Sequence, residues 1–155
     1  MNPYAPPEAT VHDQPAKPGS AFKAIALGLA VDIGGSLIGT VLLALVYGAA
    51  LGAAGVKGED IGATMQASAT DSWFFYVGTL VGLGFSVLGG FVCARIARRS
   101  ELKLGAILAA LSAISGLALA GDEQQLGTLL SLTLLGFGAV IVGARLGLAK
   151  NRRGR

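Results

Sequence analysis

The stretch Gly78–Arg99, GTLVGLGFSVLGGFVCARIARR, decides how the rest of the chain is read. Taken every fourth residue it gives Gly78, Gly82, Ser86, Gly90 and Ala94, five small residues in register ahead of a basic cluster. Residues i and i+4 share a helix face, so the five form a flat strip for helix packing, where another backbone comes close. Leucine, valine and phenylalanine surround the strip, and no charge occurs before Arg95. The solvent of such a helix is lipid.

Composition points the same way. Of 155 residues, 53% are hydrophobic and 14% charged, whereas soluble domains carry about 25% charged residues. The 24 glycines lie within Leu/Val/Ala runs without a G-X-Y period, and the five prolines all fall before Gly19, which excludes collagen-like and disordered readings of the body. A single cysteine, Cys93, excludes an internal disulfide and a thiolate metal cluster. The one histidine, His12, lies in a polar tail, so no histidine metal site and no cofactor is expected.

In chain order, residues 1–20 read as a disordered, proline-rich tail. The apolar run after it is too long for a signal-peptide core, so the first helix is expected to remain as an uncleaved anchor. A transmembrane domain over residues 21–149 follows, with helices at about 22–56, 73–97, 102–120 and 126–149, and then a basic tail at 150–155. About 20 helical residues cross a bilayer core, so each segment is long enough. The expected fold is an all-α membrane protein, a bundle of four transmembrane helices.

The loops give orientation. Eleven of the 12 lysines and arginines fall on one side of this topology and only Lys57 on the other, which places both termini in the cytoplasm. Trp73-Phe74-Phe75-Tyr76 opens the second helix where an aromatic belt belongs. Asp71 or Ser72, Ser100 with Glu101, and Asp122 with Gln125 stand at helix starts as caps. Gly121–Gln125 leaves room only for a tight hairpin. In the loop Lys57–Ser72, Ile61 and Met65 at i, i+4 suggest a short amphipathic turn. Ala94-Arg95-Ile96-Ala97 matches Ala144-Arg145-Leu146-Gly147. The match reflects either two parallel helical hairpins or the habit of outgoing helices to end in small and basic residues.

Asp32 is the sharpest chemical candidate, on a face with Gly28, Gly35, Ser36 and Gly39. Ile33–Val56 alone is long enough to span a bilayer, which leaves the depth of Asp32 open; if the membrane begins there, Asp32 lies at the cytoplasmic boundary, level with Arg95 and Arg145. There it forms a structural ion pair with one of them, couples ion or proton movement, or is simply solvated. Arg95 and Arg145 either snorkel to headgroups or partner Asp32. Lys150, Arg152, Arg153 and Arg155 offer an anionic-lipid contact at the cytoplasmic face or act only as a stop signal. The run is short and has no interleaved aromatics, so nucleic acid is not an expected partner. No catalytic set can be assembled, and Ser86, Ser112, Ser115 and Ser131 are expected to bond backbone or neighbouring helices.

At GGFVCARIARRSELKLGAIL the chain resembles a loose group of small, uncharacterised bacterial four-helix integral membrane proteins. They carry a Gly-Gly-aromatic-x-x-Ala-Arg element at the inner end of helix two, here Gly89, Gly90, Phe91, Ala94 and Arg95, then a glycine in helix three, here Gly105. The opening Asn2-Pro3-Tyr4-Ala5-Pro6-Pro7 is similar to tails of proteobacterial inner-membrane proteins. The resemblance implies a bacterial inner-membrane location and no activity. The leading expectation is a non-enzymatic membrane component that packs with copies of itself or with partner membrane proteins. The alternative is a small proton- or ion-coupled transporter or channel using Asp32.

Overall fold

The computed structural model of the chain describes residues 19–67, 73–119 and 126–153. These fold into helices: α1 (Ala21–Ala53), α2 (Gly58–Ala67), α3 (Trp73–Ala97), α4 (Glu101–Leu119) and α5 (Leu126–Arg153). Among the described residues there is no strand. Helices α1, α3, α4 and α5 are long and apolar enough to cross a membrane. Their outer faces carry large hydrophobics, among them Ile38, Leu45, Leu80, Ile114 and Leu134, each more than 60% exposed. Water does not tolerate an apolar surface of that extent. The chain is a multi-pass, all-α membrane protein.

Several boundaries differ from expectation. Helix α1 stops at Ala53 rather than Val56, because the chain turns at Gly55, whose φ of 89° is left-handed. The amphipathic turn in the following loop is a full ten-residue helix, α2, whose Ile61 rests near Gly48 and Gly52 of α1. Helix α5 continues past Ala149 to Arg153, so Lys150, Arg152 and Arg153 complement the negative end of its dipole. Tail residues 1–18, Asp71, Ser72, the Gly121–Gln125 hairpin with Asp122, and Arg155 lie outside the described residues.

Caps and turns place the helices at matched heights. The Ser20 side chain accepts from the Lys23 N–H to start α1, while the Gly19 N–H donates to the Ala97 carbonyl at 3.2 Å. Glycine is required there, since a β-carbon would lie 1.8 Å from the Ile96 oxygen. The start of α1 is thereby tied to the end of α3. Arg98 and Ser100, both with left-handed φ, make the sharp turn into α4, and the Ser100 carbonyl accepts the Leu104 N–H.

The helices meet tightly toward this basic end. Antiparallel α1 and α3 pack through Gly35 and Gly39 against Phe85 and Val81. At the far end Tyr47 stacks on Phe74 at 4.8 Å and meets Trp73 edge-on. Helices α3 and α5 run parallel, with Gly90 against Val140, Gly143 against Val87 and Gly147 against Ala94. Part of the small-residue strip is thus used within one chain. Ala24, Cys93, Leu108 and Val140 fill the core there with no exposed surface.

Candidate functional site

Three helices deliver the site. Asp32 of α1 is only 2% exposed. Its Oδ1 accepts from Ser86 Oγ of α3 at 2.7 Å, and its Oδ2 accepts from Ser112 Oγ of α4 at 2.5 Å. Each carboxylate oxygen therefore has one hydroxyl donor, from a different helix. In a lipid-surrounded bundle such bonds to a charged group are worth about 1.5–3 kcal/mol each.

The backbone around Asp32 is irregular. Ala30–Gly34 form one π-helical turn inside α1, with Asp32 at its centre. Gly34 ends the turn and Gly35 follows it, and glycine holds a regular helix poorly. Single π turns within α-helices recur at functional sites.

Asp32 is not level with Arg95. It meets Ser86, nine residues before Arg95 on α3, which is about 14 Å further along the helix axis than the basic cluster. Trp73 lies 13 residues to the other side, about 20 Å away. Along α3 the carboxylate thus lies between Trp73 and the basic cluster, well away from either end of the helix. The levels differ because α1 begins beside Ala97, so that eleven helical residues already run along α3 before Asp32.

The expected ion pair is not formed. Arg95 instead donates to Asn151 Oδ1 at 3.4 Å, and Arg145 is exposed on α5. Among the described residues no cation pairs with Asp32, whose partners are the two serines.

Beyond Asp32, toward the Trp73 end, the helices line an open cavity of about 530 Å³. Asp32, Ser36 and Thr40, at i, i+4 and i+8, form a polar stripe along its α1 wall. Thr79 of α3 and Ser115 of α4 add hydroxyls. The remaining walls are mainly apolar, including Ile33, Leu83 and Leu132. Room comes from Gly82, Gly116 and Gly136 on three different helices, where an added β-carbon would meet nothing within 4 Å.

On the other side of Asp32 the path is closed. A β-carbon on Gly28 would lie 2.9 Å from both Cys93 and Leu108, and one on Gly89 would lie 2.7 Å from the Gly28 oxygen. Asp32 is therefore the floor of a chamber that is sealed toward the basic end.

The five-residue strip divides accordingly. Gly90 and Ala94 pack against α5, Ser86 serves Asp32, and Gly82 faces open space in the cavity rather than a neighbouring helix. Gly78 lines the cavity too, its nearest neighbour being Leu43. Ser131 donates to its own helix at the Gly127 carbonyl. Sequence reasoning missed Thr40, Thr79 and the role of Asn151, which donates to the Ala94 carbonyl at 2.9 Å and to the nearly buried Glu101 at 3.4 Å. The i+8 spacing from Asp32 was a usable signal for Thr40. Asn151 carried none.

No group of three or more His, Cys, Asp or Glu residues suited to a metal ion occurs among the described residues. No family model, curated protein or solved structure matches the chain.

Proposed function

We propose that the chain is a small, non-enzymatic carrier or channel of a bacterial inner membrane, with both termini cytoplasmic, in which Asp32 binds the transported proton or cation. One observation carries this reading. A buried carboxylate with hydroxyl partners, and no counter-cation among the described residues, lies midway along the long apolar helices at the floor of a cavity. Burying a charge there is expensive, and intramembrane acidic groups mark ion pathways. A purely structural anchor needs neither the chamber nor the stripe of Ser36 and Thr40 leading to it.

The orientation rests on the excess of lysine and arginine at one end. The cavity then faces the periplasm. Packing with copies or partner proteins draws less support, because the tight contacts of Gly19, Gly90 and Gly143 all join helices within a single chain.

Proteoliposomes test the function. A pH-sensitive dye and an imposed potential report proton or cation-coupled flux for the parent, Asp32→Asn and Asp32→Glu. Flux in the parent, lost in Asn and partly kept in Glu at equal folded yield, is the expected result. Equal flux in parent and Asn variants rules the role of Asp32 out.

A further inference from the structure

Resting on the reading of Asp32 as the cation-binding group, we propose that the cavity takes a monovalent organic cation, an ammonium or phosphonium centre carried on an apolar body. Charge sets the valence: one carboxylate faces the chamber and no second acid stands beside it among the described residues. A bare metal ion is poorly served. Hard cations take six or more oxygen ligands, whereas the two hydroxyls nearest Asp32 already direct their protons at it.

Size argues beyond a proton alone. A chamber of about 530 Å³ falls in the range of small-molecule sites, and a proton path needs no such room. The space is built in, since Gly82, Gly116 and Gly136 each withhold a side chain from it. Its walls suit an amphipathic guest. Ile33, Leu83 and Leu132 give apolar contact, while a few hydroxyls above the carboxylate orient a polar group. Phe74 and Phe75 line the end near Trp73, and aromatic rings attract organic cations.

Binding to the full chain in nanodiscs provides the test, with tetraphenylphosphonium as probe and tetraphenylborate, of the same shape and opposite charge, as control. The fluorescence of Trp73, the single tryptophan, reports folding of each variant. Saturable binding of the phosphonium and none of the borate is expected, weakened at least about tenfold in Asp32→Asn. Gly116→Leu keeps the carboxylate but fills the chamber, and it should weaken binding similarly even if Asp32→Asn does not fold. Undiminished phosphonium binding in a folded variant of either kind overturns the proposal. So does Asp32-dependent proton flux without any saturable phosphonium binding, which leaves the carrier reading standing. A folded parent showing neither flux nor binding overturns both.

Discussion

The Val140 carbonyl runs so close to Gly90 that a β-carbon on Gly90 would lie 2.1 Å from its oxygen. The reciprocal contact, Gly143 against the Val87 carbonyl, is as tight. Neither obstacle is a side chain that can swing aside, so any larger residue must part the two backbones. Without a hydrophobic drive between helices in lipid, this close approach is a main source of cohesion.

Gly90→Leu and Gly143→Leu should therefore each destabilise the bundle by about 1–3 kcal/mol or more. Thermal unfolding in detergent, followed by loss of the monodisperse peak, measures it. Parent-like stability in both variants would mean that α3 and α5 do not meet as described.

Gly82→Leu and Gly116→Leu should behave in the opposite way. Their β-carbons enter open space, so folded yield should stay near that of the parent. The added side chains occupy the cavity above Asp32, and flux should fall by about tenfold or more as the path is filled. Stability and flux measured on the same preparations separate the two glycine classes.

Ser86→Ala and Ser112→Ala each remove one hydroxyl donor from a buried carboxylate oxygen. Each should cost about 1.5–3 kcal/mol of stability. In the double variant with Asp32→Asn the second loss should shrink, because the demanding charge has gone. Denaturation of the four proteins of that cycle provides the check.

Lys150, Arg152 and Arg153 extend the last turn of α5 at the basic end. Replacing all three with glutamine should weaken retention of anionic lipid by about 1 kcal/mol per charge removed. Native mass spectrometry with phosphatidylglycerol, compared with phosphatidylcholine, distinguishes a charge effect from a general loss of lipid.

Helix number and extent were legible in the sequence because both depend on local hydropathy and length. The limits of α3, Trp73–Ala97, match the pattern, the ends of α1 and α5 and the start of α4 moved by one to a few residues, and α2 was suggested only as a short turn. Asp32 was legible as a candidate for the same reason: a lone acid in an apolar run is conspicuous. Its depth was not, because depth depends on the Gly19–Ala97 bond between two helices rather than on either helix alone. Its partners were obscured as well. Charge complementarity pointed to Arg95 and Arg145, yet Arg95 bonds Asn151 and Arg145 is exposed, while Ser86 and Ser112 meet the carboxylate. Small residues posed a similar ambiguity. Gly90 and Gly82 occupy equivalent positions on one face, and only the divergence of the neighbouring helices makes one a contact and the other a void.

Labelling from the two sides of the membrane addresses most directly whether the buried carboxylate of Asp32 is open to water from one face. Thr40→Cys puts a thiol on the polar stripe above Asp32, and a Cys93→Ala background removes the only native one. In oriented vesicles a membrane-impermeant cationic thiol reagent should modify the introduced thiol from the Trp73 side and leave it untouched from the side of Arg95. No reaction from the Trp73 side in a folded protein, or reaction only from the Arg95 side, would contradict a chamber that opens there and ends at Asp32.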